Sequence, residues 1–109
     1  MEQVVVYRDG ERDIKFTGEL IASVKSTPER QSSNYSGSTG RWSELRLYRT
    51  AKGKYVCAQN GFTQWQGESD RYSGAVCESI DQVVEFFGTG RLAKRLYDAA
   101  GLDTAVEVE

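Results

Sequence analysis

Catalysis needs reactive groups, and this chain is short of them. Its 109 residues contain no histidine, so a serine or cysteine nucleophile has no imidazole to activate it. Cys57 and Cys77 lack CxxC spacing. Without histidine they make neither an ordinary zinc site nor a dithiol redox motif. They read as buried thiols that pack like small hydrophobes, and a disulfide is open to them only if their strands are neighbours. Carboxylate pairs drawn from Glu44, Glu68 or Asp70 suit acid–base work, but any acidic protein offers such pairs. Gly88-Thr89-Gly90-Arg91 precedes a helical pattern whose first amides suit an anion. It lacks the strand-to-helix setting and the Lys-Ser/Thr ending of a P-loop, so it reads as a helix-breaking turn. The expectation is a non-enzyme with no cofactor and no metal.

Binding chemistry is better supplied. From Arg41 to Lys54 the chain carries five cations against Glu44 alone, and Glu68 to Glu85 carries five anions against Arg71. The total is −2, so the whole chain does not advertise nucleic-acid binding, but such asymmetry steers charged partners. Pairing Arg49 with Lys54 places Leu45, Leu47, Val56 and Ala58 on a buried face. Trp42, Glu44, Arg46, Tyr48, Tyr55 and Cys57 then share the opposite, solvent-facing side. Basic and aromatic groups side by side suit a single nucleic-acid strand, which stacks its bases on such platforms. They suit a protein partner equally, because Trp, Tyr and Arg are common interface anchors. Tyr35, Trp65 and Phe62, in loops or at strand ends, add to that surface. The candidate binding residues are Tyr35, Trp42, Arg46, Tyr48, Arg49, Tyr55 and Trp65. On this reading, replacing Arg46 and Tyr48 by Ala weakens binding and leaves the fold nearly unchanged.

The elements that must position these residues follow from the period of the apolar pattern. Up to Ser79 apolar residues mostly alternate, as in half-buried strands; beyond it they fall at helical spacing, twice. Strands followed by helices predict an α+β domain, a four- to five-stranded, mainly antiparallel sheet with two C-terminal helices packed on one face. Residues 4–8 and 13–17 form a hairpin around Asp9-Gly10-Glu11-Arg12, pairing Tyr7 with Ile14 and Val5 with Phe16. The even series Ile14, Phe16, Gly18, Leu20, Ala22, Val24 continues one apolar face, with Gly18 marking a bulge or bend. Ser26 to Gly40, rich in Ser and Gly, is a flexible loop. Asn60-Gly61 signals a tight turn into a short return strand, Phe62 to Trp65. Gly67 to Arg71 is a polar turn. Tyr72 to Glu78 is a strand of more central character.

Ser79 and Gln82 form a capping box for a helix over 80–87. Gly101 caps a second helix over 90–100, and Leu102 makes the hydrophobic contact that follows such a cap. The tail 103–109 is acidic. The expected core is Val5, Ile14, Phe16, Leu20, Leu45, Leu47, Val56, Val76, Ile80, Val84, Phe87, Leu92 and Leu96. All of this fits a single domain over residues 1–109.

The segment Phe86-Phe87-Gly88-Thr89-Gly90-Arg91-Leu92-Ala93-Lys94-Arg95-Leu96-Tyr97, with Ala100-Gly101-Leu102, resembles the ending of small uncharacterised proteins of bacterial phages and plasmids. The strand Arg41 to Thr50 has the same character. The resemblance covers about a quarter of the chain and implies a mobile-element accessory protein. Some such proteins, anti-CRISPR proteins among them, block host defences by binding.

These readings converge on non-catalytic binding of a protein, either a partner or a second copy. The alternative is a single-stranded nucleic-acid-binding domain using the basic and aromatic hairpin. A second nucleic-acid variant presents Arg91, Lys94 and Arg95 from a helix-turn-helix. No apolar run reaches membrane-spanning length and Met1 to Val6 lacks the features of a signal peptide, so no membrane and a cytoplasmic location are expected.

Overall fold

Strand-forming residues recur through the first 77 positions, and in the computed structural model the described ones form five strands. The structure describes residues 1–26, 41–63 and 69–104, with only the backbone of Arg41. Strands β1 (Glu2–Val6), β2 (Ile14–Lys25), β3 (Arg41–Thr50), β4 (Tyr55–Thr63) and β5 (Arg71–Cys77) precede helices α1 (Ile80–Phe87) and α2 (Arg91–Ala100). The strands pair in chain order, all antiparallel, in a single five-stranded sheet. The fold is α+β, with both helices on one face: α2 crosses β2 and β3, and α1 covers β4 and β5.

The sheet is curled. Past the end of β1, Asp9 N donates to Tyr72 O of β5 at 2.9 Å, and Tyr72 N donates to Asp9 Oδ2 at 2.8 Å. Val6 lies over Gly74, where an added Cβ would come within 2.8 Å of Val6 Cγ1. The curl gives the sheet two cores. On its outer face, under the helices, Ala22, Leu45, Leu47, Cys57 and Cys77 pack against Val83, Ala93, Leu96 and Tyr97. Inside the curl, Val6, Ile14, Tyr48, Val56 and Ala58 form a second cluster with Val4 and Phe16 at its margin.

Two cores explain why several expectations fail. The β1–β2 register is Val6 with Ile14 and Val4 with Phe16, around a loop of residues 7–13. Val5 and Tyr7 therefore point outward, 39% and 59% exposed, and Val6 is the buried residue. The register of β2 against β3 shifts between Leu20 and Ala22. The bulge thus lies at Ile21, three residues beyond Gly18, and because it inserts one unpaired residue it changes which face the even positions occupy. Ile14 and Phe16 line the inner cluster, whereas Ala22 and Val24 pack under the helices. Gly18 has a different role: a Cβ there would stand 2.3 Å from Arg49 O.

In the β3–β4 hairpin Arg49 pairs with Tyr55, Tyr48 with Val56 and Leu47 with Cys57. This register is one residue from the expected one. It separates Leu45 and Leu47 from Val56 and Ala58, and both sets are buried. Asn60 and Gly61 do not turn. They lie within β4, opposite Glu44 and Ser43. The strand β5 is the last in hydrogen-bonding order rather than a central one, and Val76 is 52% exposed. Leu20, also expected in the core, is 50% exposed.

The helices follow the sequence closely. Ser79 caps α1, its Oγ accepting from Gln82 N at 3.3 Å, while Gln82 Oε1 accepts from Glu78 N at 2.7 Å. The reciprocal bond thus reaches one residue beyond the usual capping box. Gly101 ends α2 at φ 71, a left-handed conformation that costs glycine least. Leu102 N then donates to Tyr97 O at 2.9 Å, and the Leu102 side chain packs on the outer core. The Tyr97 hydroxyl donates to Gly88 O at 2.6 Å and fixes the turn between the helices. Among the described residues no helix is long and apolar enough to cross a membrane.

Candidate binding surface

The register of β3 against β4 places Trp42 directly opposite Phe62. Such cross-strand aromatic neighbours pack against each other, and here the rings stack with centroids 5.6 Å apart. Asn60 faces Tyr72 across β4 and β5, so Tyr72 shares this face. Its ring meets Phe62 edge-on at 6.4 Å and Tyr7 edge-on at 6.4 Å. Four rings from β3, β4, β5 and the β1–β2 loop thus form one row across the end of the curled sheet. Trp42, Phe62 and Tyr72 are half-buried and Tyr7 is exposed.

Beside the row lies a half-open cleft of about 890 Å³. Trp42 and Phe62 supply its apolar lining; Asp9, Asp70 and Arg71 supply its charges, and Ser26, Ser43 and Ser69 its hydroxyls. Asp9 and Asp70 are already engaged, Asp9 by Tyr72 N and Asp70 by Thr63 N at 3.0 Å. Both carboxylates therefore brace the cleft's backbone. Arg71 is exposed at its rim.

Deeper on the same face Glu44 is 6% exposed. Its Oε1 lies 2.6 Å from Arg46 Nε as an ion pair, but off the N–H direction, so that oxygen accepts no aligned hydrogen bond. The adjoining Tyr48 hydroxyl outweighs partial burial and, with the Glu44 carboxylate, raises the Arg46 guanidinium further above its usual value.

The residues expected to share one solvent-exposed face are divided by the structure. Trp42 joins the aromatic row. Arg46 stays exposed beside Glu44. Tyr48 is 7% exposed, its ring edge-on to Phe16 at 5.4 Å within the inner core. Cys57, also assigned to the solvent side, is fully buried beneath the helices. Arg49 and Tyr55 lie on the other side of the sheet, with the guanidinium 5.9 Å from the ring centroid. Tyr35 and Trp65 lie outside the described residues. The contiguous basic and aromatic face is thus absent, because the hairpin's true register puts Tyr48 and Tyr55 on opposite sides.

Sequence reasoning missed Tyr72, Tyr7 and Arg71 in this surface. Phe62 was recognisable as an aromatic at a strand end, but reading Asn60-Gly61 as a turn hid its place opposite Trp42. Among the described residues no three metal-ligating side chains converge. Comparison of the chain with protein-family models, with characterised proteins and with solved structures finds no match.

Proposed function

We propose that this chain is a non-catalytic protein-binding module that holds an extended segment of a protein partner across the Trp42–Phe62–Tyr72–Tyr7 row. The row itself carries this reading. Aromatic-lined grooves hold extended peptides, because flat rigid rings supply contact area at little entropic cost. The neighbouring cleft gives such a segment room, and Arg71 offers a polar contact at the rim. A mobile-element accessory role acting in the cytoplasm, suggested by the resemblance of the C-terminal helices, is compatible with a small binding module. The nucleic-acid alternative is weaker, since Arg46 and Arg49 stand on opposite sides of the sheet and the cleft carries two carboxylates against Arg71.

The test is selection of binders from a displayed library of random peptides, followed by amide-shift mapping on labelled protein. Selected peptides are expected to perturb Trp42, Phe62, Tyr72 and Tyr7. Tyr7→Ala, at an exposed site, is expected to leave the fold intact and weaken binding about tenfold, the ~1.4 kcal/mol of a moderate anchor. No enrichment, or binding insensitive to Tyr7→Ala and mapped elsewhere, removes the proposal. A parallel titration with single-stranded DNA discriminates the alternative, whose affinity must fall as salt rises.

A further inference from the structure

The two cysteines, too far apart in sequence to form a motif, are brought together by the β4–β5 pairing. Cys57 faces Ala75 and Tyr55 faces Cys77, so the thiols sit diagonally on one face of adjacent strands. Their sulfurs are 3.6 Å apart, and both are free. A disulfide requires about 2.05 Å, so the pair must close by roughly 1.5 Å. Neither thiol is used by the binding surface, which lies at the other end of these strands.

We propose that Cys57 and Cys77 are a modification site, an intramolecular thiol–disulfide pair closed by a peroxide. Cys77 is the entry point: it ends β5 beside the first residues of α1, and it retains slight exposure where Cys57 has none. Thiol character favours the same order. Burial raises both thiols; at Cys77 the Cys57 S–H opposes that rise and Glu85 adds to it, whereas at Cys57 burial and the neighbouring Cys77 act in the same upward direction. In the first step the Cys77 sulfur attacks one peroxide oxygen. The S–O bond forms, the O–O bond breaks, and the departing hydroxide takes the thiol proton as water. In the second step Cys57 Sγ attacks the Cys77 sulfenic acid. The S–S bond forms, the S–O bond breaks, and hydroxide leaves with the Cys57 proton as a second water. Two thiols lose two electrons and the peroxide gains them.

Access requires α1 to lift. That helix has 8 residues and is fastened by one fully buried side chain, Val83. A helix so short does not persist alone, and local opening of such an element is a low-energy event. Oxidation is therefore slow and limited by opening.

The experiment treats the folded full-length chain with hydrogen peroxide, quenches with N-ethylmaleimide, and digests with trypsin without reduction. The expected product has lost two hydrogens. It links the peptide of residues 55–71 to that of residues 72–91, and dithiothreitol separates them. In Cys57→Ser a sulfenic-acid probe such as dimedone is expected to label Cys77. Recovery of both cysteines as maleimide adducts at the level of untreated protein overturns the proposal. So does oxidation to sulfinic acid without the linked peptide. Because the decisive reading is on the unsubstituted chain, a variant that fails to fold does not blunt the test.

Discussion

Tyr48 shows how far a side chain's role depends on the face it occupies. As a solvent-side anchor it would be replaceable without structural cost. Within the inner core, edge-on to Phe16 and opposite Val56, it is a packing residue. Tyr48→Ala is therefore expected to cost about 3–5 kcal/mol, the range for removing a large buried aromatic, read as a lower midpoint in urea denaturation. Arg46→Ala is a different experiment. It removes a half-exposed guanidinium and leaves Glu44 buried without its ion-pair partner. The two substitutions thus report on packing and on charge burial, and neither isolates binding.

At the scale of elements, the helices were legible and the strand pairings were not. Helix boundaries are fixed by local signals: Ser79 and Gln82 at the start of α1, Gly88 at its end, Gly101 after α2. Register depends on loop length. The loop of residues 7–13 is longer than the Asp9–Arg12 turn its composition suggests, and Arg49 pairs with Tyr55 rather than Lys54. The apolar pattern could not correct the error, because in β3 and β4 residues of both parities are buried and either register places apolar groups together. The same ambiguity hid the aromatic row, although Trp42 and Phe62 were visible as strand-end aromatics. The helix junction, by contrast, depends on one bond that the sequence does not reveal, Tyr97 Oη to Gly88 O. Tyr97→Phe keeps the buried ring against Phe87 and deletes that bond. The expected loss is about 1 kcal/mol, measured by denaturant titration, with the helical circular dichroism otherwise retained.

On the scale of the whole molecule, the curl is held by the seam between Asp9 and Tyr72, which joins the first hairpin to the last strand. The seam also sets the spacing of the aromatic row, since Tyr7 and Tyr72 stand on its two sides. Asp9→Ala removes the acceptor of the Tyr72 amide. Hydrogen exchange at Tyr72 is then expected to quicken about fivefold, the equivalent of ~1 kcal/mol of lost protection. Exchange at Val56 and Leu47, in the middle of the sheet, should hold nearly steady.

The burial of β3 and β4 on both faces has a consequence for what substitutions this chain tolerates. Val56, Cys57 and Ala58 are consecutive and all enclosed, as are Leu47 and Tyr48. A saturation map scored by abundance should therefore show unbroken bands of intolerance there. Along Ile14 to Lys25 tolerance should instead alternate position by position, with the even positions intolerant on both sides of the bulge and a missing beat at exposed Leu20. The phase is kept because the even side chains face the inner core before the bulge and the helices after it, so the missing beat would let the bulge be located from variant counts alone.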